Sequence, residues 1–213
     1  MRIDIWSDLV CPWCYLGKRR LELALRGHPL AGEIEIYWHS YELDPAAPAD
    51  DRRSTAEIVA AKYKMPVDEA QASLARLTEL AGEVGLEYRF DLTRRASTYD
   101  AHRLMHLARD RGLQPDLAEA LFRSYFTEGR LLSDHDELLD CAAGVGLDRE
   151  EAGAVLASGA FGEHVRRDER SAAELGVTGV PFFLFEMRYG LAGAQAPETL
   201  RQVIDRVATT GAS

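Results

Sequence analysis

Apolar and polar residues alternate at two places near the start of the chain. From Arg2 to Trp6, Ile3 and Ile5 alternate with Arg2 and Asp4, and from Glu33 to Trp38 the same period returns through Ile34, Ile36 and Trp38. A period of two predicts strands with one buried face. Between them, Gly17 to Arg26 shifts to helical spacing through Leu21 and Leu25, with Leu23 and Ala24 beside them, and Gly27 and Pro29 end the run. Strand, helix, strand is a crossover that lays two parallel strands in one sheet. After the turn-rich Leu43-Asp44-Pro45-Ala46-Ala47-Pro48, the stretch from Ser54 to Ala160 reads as helices near 54–63, 67–84, 97–111, 115–127, 134–144 and 148–157. A helix from Gly162 to Leu175, strands over 182–185 and 188–191, and a last helix from Pro197 to Val207 complete the pattern. The expected class is α/β, in the order β-α-β, helices, α-β-β-α. Residues 1–43 and 161–213 form one expected domain and 44–160 a helical insertion. Glu186-Met187 stand where a tight hairpin turn favours Gly or Asn, and positive φ is costly for Met, so a longer or different turn is expected.

Composition narrows the partners. The chain of 213 residues is 46% hydrophobic and 28% charged, which suits folded domains. Its net charge of -10 argues against nucleic acid or an anionic membrane surface, since both require a basic patch. No run approaches the roughly 18 apolar residues of a membrane span. Asp4 and Asp8 interrupt the apolar start and argue against a signal peptide, so a cytoplasmic location is expected. No cofactor and no metal is called for, and a homodimer stays open.

Three cysteines do not make a disulfide framework, but two of them are spaced as Cys11-Pro12-Trp13-Cys14 at the junction of the first strand and helix. With Pro12 at the first helical position, Cys11 is the N-cap and its sulfur faces the free amides of Trp13 and Cys14. The helix dipole adds positive potential there, so the thiol is expected to fall from about 8.5 into the roughly 3.5–7.5 range of reactive cysteines. Cys14, three residues on, lies on the same side of the first turn and is placed to resolve a mixed disulfide on Cys11. The zinc alternative requires two further ligands. Cys141 offers no second pair and, at helical spacing with Leu138, Ala142 and Val145, reads as a buried core residue. His102 and His106 share a helix face, without a Glu after His102, and read as packing or solvent-facing residues. His39 is either a neighbour of the Cys11 pocket or an edge residue. The run from Glu163 to Arg170 reads as a solvated helix face. Trp13, beside a sulfur that must stay accessible, is expected to expose its ring.

The stretch Ser7-Asp8-Leu9-Val10-Cys11-Pro12-Trp13-Cys14-Tyr15-Leu16-Gly17-Lys18, the late Gly179-Val180-Pro181-Phe182-Phe183 and Tyr189-Gly190-Leu191-Ala192-Gly193-Ala194-Gln195 resemble DsbA-like, and specifically FrnE-like, thioredoxin-fold proteins. Tyr41-Glu42-Leu43-Asp44-Pro45, Ala101-His102-Arg103-Leu104 and Phe126-Thr127-Glu128-Gly129 carry the resemblance through the insertion. It implies a thioredoxin-like fold and a protein-disulfide oxidoreductase or isomerase, acting on protein or small-molecule thiols and disulfides through Cys11 and Cys14. It also implies a cis-proline loop at Val180-Pro181, although an X-Pro bond taken alone is trans in most cases. Substrate would then meet Pro12, Trp13, Gly179, Val180 and Pro181, with the Val180 backbone pairing in strand fashion with an extended peptide. The related kappa-class glutathione transferases and 2-hydroxychromene-2-carboxylate isomerases place serine where this chain has Cys11, and Gly-Ser-Asp where it has Gly193-Ala194-Gln195. A glutathione-dependent isomerase or transferase is therefore the second reading, and a non-enzymatic redox-sensing chaperone the third.

Overall fold

The computed structural model describes residues 1–210. Its contacts divide the chain into two compact units, one of residues 1–43 with the chain from Arg166 onward, the other Asp44–Val165.

The first unit is built on a four-stranded sheet in the order β2-β1-β3-β4. Strands β1 (Arg2–Ser7) and β2 (Glu35–Ser40) run parallel, joined through helix α1 (Pro12–Leu25). Strands β3 (Phe182–Phe185) and β4 (Tyr189–Ala192) continue the sheet antiparallel. Side-chain alternation decides what each face carries. Ile3 and Ile5 of β1 lie opposite Phe185 and Phe183, all with no exposed surface. A Cβ built on Gly17 of α1 would come within 3.3 Å of the Phe183 ring, which identifies this as the α1 face. Trp6 and Leu184 point the other way and pack with Ala172 and Val177, and the Trp6 indole donates to the Asp168 carbonyl at 3.0 Å. That face belongs to helix α8, which runs over Gly162–Glu174.

The second unit is helical: α2 (Thr55–Tyr63), α3 (Val67–Gly82), α4 (Tyr99–Asp110), α5 (Gln114–Phe126), α6 (His135–Gly144) and α7 (Arg149–Ala157). Local signals explain the starts. Ser54 and Glu57 form a reciprocal capping box, and Asp134 and Asp148 accept amide protons of the first turns they precede. Leu104, Leu117, Leu121 and Phe122 fill the core with no exposed surface. His102 and His106 are both buried, and the His106 ring stacks over Phe161, so of their two expected roles packing is the one observed. Cys141 is only partly buried, short of the full core position its spacing suggested, with the Ser124 hydroxyl against its sulfur. The last helix, α9 (Pro197–Thr210), returns to the first unit, where Arg201 donates to carbonyls at the end of α1.

The hairpin connection is three residues, longer than a tight two-residue turn as expected, and Glu186 and Met187 nonetheless both take positive φ, at 50° and 53°. Such a conformation costs roughly 1–2 kcal/mol per non-glycine residue. Glu186 offsets it by extending the pairing of β1: its amide donates to the Arg2 carbonyl at 2.9 Å and its carboxylate accepts the Arg2 amide at 2.6 Å.

Candidate active site

The turn between β1 and α1 is tied at both ends. The Asp8 carbonyl accepts the Cys11 amide at 3.1 Å, and its carboxylate accepts the Leu43 amide at 2.7 Å. Cys11 is the N-cap in extended conformation, Pro12 opens the helix, and the Cys11 carbonyl accepts the Cys14 and Tyr15 amides. No side chain caps the helix. The Cys11 sulfur turns instead to the Val180 carbonyl, 3.6 Å away. This corrects the expected bond to the helix amides: neither cysteine is in a disulfide, and an S–H group can donate to a carbonyl.

Cys14 is wholly buried beneath it, whereas Cys11 keeps 4% of its surface. Burial pushes the Cys14 thiol well above its ordinary range, and Cys11 adds to the rise, while the Ser7 hydroxyl and the Asp8 amide oppose it. The Val180–Pro181 peptide is cis, as the resemblance implied. The Pro181 carbonyl accepts the Gly193 amide at 2.8 Å. A Cβ on Gly17 would sit 2.9 Å from Pro181 Cγ, so only glycine lets this loop approach α1. At Trp13 of the motif opens a cleft of about 510 Å³, walled by Trp13, by the 176–180 and 192–194 segments and by Phe182. Trp13 is 44% exposed. Gly179 and Val180 line this cleft, while Pro12 is half-buried and Pro181 buried against Gly17.

His39 belongs elsewhere. It stacks on Trp6, with centroids 4.5 Å apart and planes 16° apart, on the α8 face. One ring nitrogen meets Asp4 at 2.6 Å and the other Asp168 at 3.0 Å. Asp4 also takes two bonds from Arg2, at 2.8 and 2.5 Å, and Asp168 accepts the Ser40 amide at 2.9 Å. Burial pulls the His39 pKa down, but Asp168 and Asp4 together hold it above its ordinary value. Burial likewise opposes the charge of Asp4, and His39 and Arg2 prevail, holding it below the usual carboxylate range. Asp168 corrects the reading of 163–170 as a solvated face. With Val165 and Ala172 it falls at i, i+3, i+7 on the buried stripe of α8, and that spacing was the available signal.

Among the described residues no group of three or more His, Cys, Asp or Glu could hold a metal ion, and no helix is long and apolar enough to cross a membrane. The profile of the DSBA-like thioredoxin domain matches residues 2–205. The chain belongs to the DsbA-like thioredoxin-domain family. A probable DsbA oxidoreductase of Streptomyces coelicolor is 43% identical to it, with a TM-score of 0.93 over 98% of this chain and 90% of that one. Two more distant solved structures share the fold. A 2-hydroxychromene-2-carboxylate isomerase is 16% identical, with a TM-score of 0.73 over 100% and 98% of the two chains. The cytosolic disulfide reductase DsbM of Pseudomonas aeruginosa is 18% identical, with a TM-score of 0.68 over 99% and 100%. The family is one of oxidoreductases, which makes this DsbA-like chain a redox enzyme in general terms, and its four-stranded sheet with the cis-proline loop is the DsbA-like thioredoxin fold.

Proposed function

We propose that this DsbA-like protein exchanges disulfides, with Cys11 as the attacking sulfur and Cys14 as the resolving one, on protein or small-molecule disulfides. The observation that carries the assignment is the asymmetry of the pair. Cys11 caps α1 beside the cleft at Trp13, and Cys14 has no exposed surface beneath it. Once ionised, Cys11 has no proton to give the Val180 carbonyl and is repelled by it, which favours the helix amides and their positive potential. The thiolate attacks a substrate disulfide, forms a mixed disulfide and expels one substrate thiolate. Cys14 then attacks Cys11, expels the second thiolate and leaves a Cys11–Cys14 disulfide. Two thiols are oxidised and one disulfide is reduced. The Val180 backbone pairs with an extended substrate, with Pro12, Trp13, Gly179 and Pro181 completing its contacts. A cytoplasmic thiol pool would keep the pair reduced and favours reductase or isomerase work.

Mixing reduced protein with a small aromatic disulfide and mapping the product by mass spectrometry tests this. A Cys11–Cys14 disulfide and two equivalents of released thiol, without added glutathione, are expected. Turnover that demands glutathione and survives Cys11→Ser would instead support a glutathione-dependent isomerase or transferase.

A further inference from the structure

We propose that the Ser7 hydroxyl, together with the Asp8 backbone amide, forms a hydrogen-bonding seat for the Cys14 thiolate and so sets the rate of the resolving step. This rests on the assignment of Cys11 and Cys14 given above.

The placement follows from strand periodicity. Ile3, Ile5 and Ser7 share one face of β1, the face on which α1 lies, so the last strand residue points under the first turn of that helix. At that position an apolar side chain would pack as its two predecessors do. A hydroxyl stands there instead. Ser7 is 4% exposed, and its Oγ, shielded from solvent, has no hydrogen-bond partner among the described residues. A buried hydroxyl left without such a partner is a cost to folding. Cys14, wholly buried in the first turn of α1, is the titratable group on that side, and the Ser7 hydroxyl and the Asp8 amide both oppose the rise that burial imposes on its thiol.

The chemistry gives the cost a use. In the resolving step Cys14 must lose its proton inside a site that water does not reach, and its thiolate then attacks Cys11 of the mixed disulfide. The Cys14–Cys11 bond forms, the Cys11–substrate bond breaks, and the proton given up by Cys14 ends on the departing substrate thiolate. The Ser7 hydroxyl keeps its own proton and donates a hydrogen bond to the thiolate. Hydrogen bonds to charged groups are the strong class, so the hydroxyl contributes most when Cys14 is ionised. The attack by Cys11, on the cleft side, does not involve it.

A chromogenic aromatic disulfide mixed with the reduced full-length protein in a stopped-flow instrument separates the steps. The first released thiol reports attack by Cys11, and the second reports resolution by Cys14. In Ser7→Ala the first phase should keep its rate, while the second slows about tenfold at neutral pH and its pH midpoint rises by roughly one unit. Ser7→Thr, which retains the hydroxyl, should restore the second phase, and Ser7→Ala should unfold at an unchanged or higher temperature. An unchanged second phase in Ser7→Ala overturns the proposal. So does equal slowing of both phases at every pH, which would mark Ser7 as a packing residue. A wild-type protein that releases only one equivalent of thiol overturns the Cys11/Cys14 assignment itself.

Discussion

On the α8 face of the sheet, the buried Asp4 and Asp168 and the largely buried His39 ring meet one another and Arg2 through hydrogen bonds of 2.5–3.0 Å. On the α1 face Ser7 and Cys14 are also deeply buried, yet the hydroxyl lacks any hydrogen-bond partner among the described residues and the thiol is held from ionising by burial. The difference separates structure from chemistry. A cluster of paired charges fastens α8 to β1 and β2, because breaking any member leaves an uncompensated charge. The under-satisfied sulfur face holds its groups away from their preferred states, as a site that must change protonation does.

Substitutions on the two faces should therefore separate activity from stability. The largest expected effect is on the sulfur side: Cys11→Ser should lower exchange with a chromogenic disulfide by roughly a thousandfold or more while leaving thermal unfolding nearly unchanged. On the charged side, His39→Leu should do the reverse. It should cost about 3 kcal/mol, roughly 10 °C in Tm for a chain of this size, with the thiol chemistry retained.

The same cluster gives a pH signature. His39 is held above 6.5, so its stabilisation is complete below that pH and is lost as pH climbs through the higher folded value. Asp4 is held below 3.8, so its stabilisation is complete above that pH and is lost as pH falls through the lower folded value. Denaturant unfolding across pH should show both contributions intact between 3.8 and 6.5, and His39→Leu should erase the decline on the alkaline side.

Smaller effects sharpen the contrast. In a helix interior Gly→Ala ordinarily stabilises by about 1 kcal/mol. Gly17→Ala should instead destabilise by about 1–2 kcal/mol, because its Cβ would strike Pro181 and the Phe183 ring. Calorimetry reads the sign directly. Smallest is Met187→Gly at the exposed hairpin turn, which should stabilise by about 1 kcal/mol by removing a side chain from positive φ.

Elements whose evidence is local were legible in the sequence. The six helices between Ser54 and Ala160 and both late strands fall within a few residues of their periodicity. The Cys11-to-Cys14 motif could be placed at the strand-to-helix turn because Pro12 and the alternation before it are adjacent. Features that depend on distant partners were not legible. Asp168 looked like one more charge in a mixed run, since its partner His39 is 129 residues away. Met187 at positive φ contradicted its local preference because Glu186 pairs with Arg2 across 184 residues. The Cys11 thiol chose the carbonyl of Val180, 169 residues along the chain, over amides two and three residues ahead.

The central claim is that the two cysteines have different jobs, and trapping tests it most directly. Cys14→Ala exposed to a small disulfide under oxidising conditions should accumulate a long-lived mixed disulfide on Cys11, located by peptide mapping and absent from the wild type at the same time point. An adduct that never forms on Cys11, or that forms only on the half-buried Cys141, would contradict the account.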